Sequence, residues 1–154
     1  KIEFMNKKLI DAVAKGDLKG VKKMFDINSI DKKDAEDLLI GATIGGFEEI
    51  LKLLLEQGVS PNAKDNEGRW TALHFAADEC NISIAKVLIK YGADVNGVDE
   101  DGSIPLFKAV FNRNKCPEML KLLVQSGSDI RKKNKHNVSS IDLATRFDID
   151  LVNL

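Results

Sequence analysis

Two histidines and two cysteines are the side chains here best suited to proton transfer, metal ligation or nucleophilic attack near neutral pH. His74 has no cysteine or acid at a catalytic spacing, and a histidine without an orienting partner has no defined chemical role. It reads as structural. His136 lies in the polar run KNKHN and reads as solvated. Cys80 and Cys116 show no metal-ligand spacing and no nearby histidine to pair with, so both are expected as ordinary reduced thiols in a reducing, cytoplasmic setting. Gly-rich phosphate loops, paired metal-ligand motifs and nucleophile elbows are all missing from the sequence. The expectation is a non-enzyme with no catalytic, cofactor-binding or metal-binding residues.

The elements that would carry these residues are short and one-sided. In TALHFAADECNISIAKVLIKYGADVN, Thr71 to Asn96, Thr71 can cap a helix whose Leu73, Ala76 and Ala77 share one face. Ile84, Val87, Leu88 and Tyr91 form the stripe of a second helix, and Gly92 stands where that helix must end in a left-handed conformation. Two such helices cannot bury their apolar faces alone. The same unit recurs: Ala12, Ala42, Ala76, Ala109 and Ala144 are spaced 30, 34, 33 and 35 residues apart, and Gly58, Gly92 and Gly127 keep the same beat.

Thr71, Leu73, His74, Ala76, Ala77, Ile84, Lys86, Leu88 and the exit Gly92-Ala93-Asp94-Val95-Asn96 resemble the ankyrin repeat in register. Cys80 replaces the inter-helix glycine, and an extra residue separates Gly68 from Thr71. The resemblance implies an all-α ankyrin-repeat solenoid of about five stacked helical pairs with β-turn fingers and terminal repeats as caps. Residues 1–154 form one domain, with units at about 6–35 (the N-terminal cap), 36–69, 70–102, 103–137 and 138–154 (a truncated C-terminal cap). It also implies that His74 hydrogen-bonds the backbone of adjoining turns. Asp37 stands at the threonine-cap position of the second unit, and the link DINSIDKKDAED is too short for a full finger. Asp65–Gly68, Asp99–Gly102 and Asn134–Asn137 carry turn chemistry, with asparagine tolerating the left-handed position in the last. About two residues are inserted around Asn114 to Cys116 before Pro117 restarts a helix.

Composition fits a folded chain: hydrophobic residues are 44%, charged residues 31% and the formal net charge is -1. That balance gives no electrostatic reason to bind nucleic acid or an anionic membrane. No apolar run approaches the ~20 residues a bilayer-spanning helix needs. No signal segment opens the chain, and Met5 is read as its natural start.

The family resemblance implies binding of another protein through finger tips and the concave helix face. The finger candidates are Asn66, Glu67, Arg69, Trp70, Glu100, Asp101 and Lys135; those on the helix face are Asp78, Glu79, Phe111, Asn112, Arg113 and Arg146, beside Ile44 and Phe147. Trp70 has two readings, an exposed hot spot or a side chain folded back on its neighbouring helix. The run Arg131–Lys135 is basic and the neighbouring Asp99-Glu100-Asp101 wholly acidic, which suits a protein partner better than a phosphate backbone. A monomeric scaffold is expected. The narrower alternative is a stand-alone inhibitor or immunity-type protein covering one enzyme, and the remote one is nucleic-acid contact through residues 131–135.

Overall fold

The computed structural model describes residues 2–112 and 116–154, with side chains from Asn6 onward. Among the described residues nine helices follow one another: α1 (Ile2–Ala14), α2 (Leu18–Met24), α3 (Lys32–Ile44), α4 (Glu48–Glu56), α5 (Ala72–Asp78), α6 (Ile82–Lys90), α7 (Pro105–Phe111), α8 (Pro117–Gln125) and α9 (Ser140–Arg146). The odd-numbered helices pack in one continuous row, α1 on α3 on α5 on α7 on α9, and α2, α4 and α6 pack in a second. This is the stacked all-α solenoid that the repeat period implies.

Each helix is built from local chemistry and held by its neighbours. Asn81 Oδ1 accepts from the Ile84 backbone N–H at 3.1 Å to start α6, whose Ile84, Ala85, Val87 and Leu88 are buried. In α4 the acidic first turn suits the helix dipole, Lys52 pairs with Glu48 at 2.6 Å one turn on, and Leu51, Leu54 and Leu55 face the core. The exit glycines Gly58, Gly92 and Gly127 hold φ of 97°, 91° and 95°, and a Cβ at any of them would meet nothing within 4 Å. Backbone conformation, not lack of room, therefore requires glycine there. Two fingers carry isolated antiparallel bridges, Lys64 with Thr71 and Lys133 with Ser139, and Asn137 adopts φ 60° as its turn needs.

Asp37 does not cap a helix. Because no finger separates the first two units, α3 starts at Lys32 after Asp31, and Asp37 lies inside it, paired with Lys33 at 2.8 Å. The reduced-thiol reading is also overturned. Cys80 and Cys116 form a disulfide with their Cα atoms 5.7 Å apart. Cys80 occupies the left-handed turn between α5 and α6 at φ 58°, and Cys116 is the residue immediately before α8. Stacking lays the inter-helix turns of successive units side by side, so a separation of 36 residues, one repeat plus the insertion, brings the sulfurs together. The ground for expecting a reducing compartment goes with it.

Closing a loop of this length removes on the order of 3–4 kcal/mol of unfolded-chain freedom in the loop-entropy account. Native chain treated with a thiol reagent should show no reactive cysteine, and reduction or Cys116→Ser should lower the thermal midpoint by several degrees. Two thiols titrating in the folded, unreduced protein would contradict the bridge.

Candidate functional site

Where α5 meets α7, the side chains that looked chemically capable are spent on joining repeats. Thr71 Oγ1 accepts from the His74 backbone N–H at 3.3 Å, and His74 Nδ1 accepts from the Thr71 backbone N–H at 3.1 Å. The proton therefore belongs on Nε2, which donates to the Ser103 carbonyl oxygen at 2.9 Å in the next unit. Burial lowers the His74 pKa to about 4, against the upward pull of the Ser103 carbonyl and the Asp99 carboxylate. Both ring nitrogens are engaged and the ring is neutral at pH 7. It bridges the turns as the resemblance implied.

Asp99 and Trp70 complete this joint. Asp99 is buried; its Oδ1 accepts from the backbone N–H of Ser103 at 2.8 Å and of Asp101 at 3.0 Å, and its Oδ2 meets Lys108 Nζ at 2.9 Å. The same ammonium lies 4.6 Å from the centroid of the Trp70 ring, which leans on Phe75 at 5.1 Å. Of the two readings of Trp70 the folded-back one holds: the indole is half-buried against Phe75 and His74, with the Lys108 ammonium over its ring. Asp99 is turned inward, so toward solvent the finger at 99–101 presents Glu100 and Asp101 and stays acidic.

Further bonds spaced one repeat apart stiffen the fingers. Asn62 Oδ1 accepts from the Asp94 N–H and Asn96 Oδ1 from the Asp129 N–H, both at 2.7 Å. Glu100 N–H donates to the Gly68 carbonyl at 2.9 Å and Lys135 N–H to the Asp101 carbonyl at 2.8 Å. On this rigid frame the side chains of Asn66, Glu67, Arg69, Glu100, Asp101 and Lys135 stand exposed, with His136 Nε2 3.6 Å from Asp101. Arg69, one of the two residues between Gly68 and Thr71, is held at φ 53°.

At the far ends of the odd-numbered helices the picture is mixed. Phe111 is 63% exposed, and Glu79 and Arg146 are exposed as well. Asp78 and Asn112 are partly buried and bond each other across α5 and α7, so they serve stacking first. Arg113 lies outside the described residues. Sequence reasoning placed Ile44 beside the helix-face candidates but passed over Ile10 and the apolar surface they share between α1 and α3, where the two are 57% and 58% exposed. The signal was Gly41, a glycine inside a helix at the position where α5 carries Phe75 and α7 carries Lys108.

A family model described as Ankyrin repeats (3 copies) matches residues 9–99 and 61–134. The chain belongs to the ankyrin-repeat family. It is 30% identical over 142 residues to a putative ankyrin repeat protein of Fowlpox virus, FPV222, covering 90% of this chain and 18% of that protein. It is 43% identical over 74 residues to Palmitoyltransferase AKR1 of Candida albicans, covering 48% of this chain and 9% of the relative. Protein phosphatase 1 regulatory subunit 27 of Mus musculus is 33% identical over 109 residues, 68% of this chain and 70% of that protein. This ankyrin-repeat chain thus spans a small fraction of the first two relatives and most of the third. No described helix is long and apolar enough to cross a membrane.

The neutral His74 couples stacking to pH. Its pKa is about 4 in the folded chain against 6.5 for an ordinary histidine, so between these the unfolded chain binds more protons. Its contribution is whole above pH 6.5 and fades as pH falls toward 4, a loss of about 3 kcal/mol. Urea unfolding of wild type and His74→Gln at pH 7 and pH 4.5 should show the wild type losing more stability on acidification. Equal losses would mean that His74 takes up its proton in place.

Proposed function

We propose that this chain is a non-enzymatic protein-binding scaffold that holds a partner on its finger tips and on the face of its odd-numbered helices. The supporting observation is the division of labour among polar groups. Backbone and asparagine bonds lock each finger to the next, while the tip side chains of Asn66, Glu67, Arg69, Glu100, Asp101 and Lys135 are left to solvent. A surface already ordered before contact loses little entropy on binding. His74 and Lys108, the groups an acid–base mechanism would call on, are committed to the joint between repeats.

The alternative, a stand-alone inhibitor or immunity-type protein that covers one enzyme, has one favouring observation. A mouse relative of which this chain covers 70% is named a regulatory subunit of a phosphatase. Nucleic-acid contact through residues 131–135 is disfavoured by the exposed Glu100 and Asp101 on the adjoining finger. The chain is taken to act as a monomer, and the Cys80–Cys116 bond favours an oxidising setting over a cytoplasmic one.

Chemical cross-linking and capture from the native host, with wild type, Phe111→Ser and Arg69→Glu in parallel, tests this reading. The expected result is a partner protein whose affinity falls about tenfold or more in the variants, as for loss of an interface hot spot, with thermal midpoints kept. Partner-enzyme activity abolished by wild type would select the inhibitor alternative. Capture of no protein, together with salt-sensitive retention of RNA or DNA, would overturn both.

A further inference from the structure

The joint between the first two units leaves a groove that the finger and helix-face candidates reach only at its edge, through Ile44, Asn66 and Glu67. Between α1 and α3 lies an open trough of about 400 Å³, lined by Ile10, Val13, Leu38, Gly41, Ile44 and Phe47. Ile10 and Ile44 are more than half exposed on either side of it, while Val13 and Leu38 form its floor. Gly41 makes the wall low: a Cβ there would meet only Val13 Cγ1, at 3.7 Å. Asp37, Gly41 and Ile44 also line a second hollow, which continues past α3 to Phe75 and the finger residues Asp65 and Glu67. The two hollows therefore meet across α3 at Asp37, Gly41 and Ile44.

Its rim is acidic. Asp34 and Asp37 border the trough, and Asp65 and Glu67 border its continuation. Lys33 answers Asp37 at 2.8 Å, while Asn6 Nδ2 donates to Asp34 at 2.9 Å and the Trp70 N–H to Asp65 at 2.6 Å without neutralising either. An uncharged segment laid on the groove would strip water from these carboxylates with no return. A second copy placed on the same patch by two-fold symmetry would set acid against acid.

We propose that this groove docks an apolar, basic segment of a partner protein, an inference that rests on the protein-binding reading above. Aliphatic or aromatic side chains spaced three and four residues apart, as on one helical face, enter the trough beside Gly41. Lysine or arginine residues at one end of the segment reach Asp34, Asp37, Asp65 and Glu67. The anchor of the complex then lies in the N-terminal two units, with the fingers as its flank.

Panning a displayed library of random 16-residue peptides against the intact, disulfide-bonded chain tests this. The enriched peptides should combine apolar residues at helical spacing with lysine or arginine. Gly41→Leu, which fills the trough, should weaken them at least tenfold while keeping or raising the thermal midpoint. The pair Asp34→Asn and Asp37→Asn should weaken them severalfold and flatten the salt dependence. Acidic peptides, an empty selection, or peptides that survive Gly41→Leu but are lost in Phe111→Ser would overturn the groove. The last result would leave the protein-binding reading standing, which has its own capture experiment. Sedimentation showing a dimer that Gly41→Leu dissolves would name a second copy as the occupant and overturn the proposal too.

Discussion

Several turns in this solenoid carry polar groups whose hydrogen-bond partner is supplied by the next repeat. His74 Nε2 reaching the Ser103 carbonyl is the most buried example, with a separation of 29 residues. Asn62 with Asp94 and Asn96 with Asp129 repeat the arrangement on the surface at separations of 32 and 33. An unmade bond at such a site costs the full desolvation of the group, so each repeat is stable only when docked on its neighbour. Helices of seven residues, such as α5, α7 and α9, are too short to persist in water alone.

This constraint decides which residues remain for function. Lys108, Asp99 and Trp70 form a closed set that spans two units, and a charge so enclosed is committed to its partner. Asp78 and Asn112 are likewise drawn into a link between α5 and α7. What stays exposed is the outer half of each finger together with Ile44 and Phe111 on the odd-numbered helices. The surface proposed to hold a partner is therefore what stacking did not consume.

Repeat order was legible because each unit must bury the same face: the alanine and glycine markers are the residues on which close packing and helix termination depend. The cross-repeat pairs were not, because they depend on which side chains one particular joint brings together. Cys80 and Cys116 look unrelated in a linear search, yet 36 residues is one repeat plus the local insertion. Trp70 had no slot in the repeat pattern, and the slot exists only because Phe75 and Lys108 occupy this one joint. Asp37 was misplaced for a related reason. The cap position assumes a finger before the helix, and where the finger is missing the helix runs on toward the amino terminus.

That same missing finger shapes the two ends of the solenoid differently. α1 and α3 have 13 residues each, whereas α5, α7 and α9 have seven. The added turns of α3 stand where a finger would otherwise project, and they bring Asp34 to the edge of the trough. Longer walls with a glycine between them make a hollow, while at the corresponding joint of α5 and α7 the Phe75, Trp70 and Lys108 side chains fill the space. Charge follows the same division, acidic around the first groove and basic at residues 131–133 of the last finger. A partner that matched both ends would have to carry its own charges in the opposite order, which fixes its direction along the solenoid as well as its place.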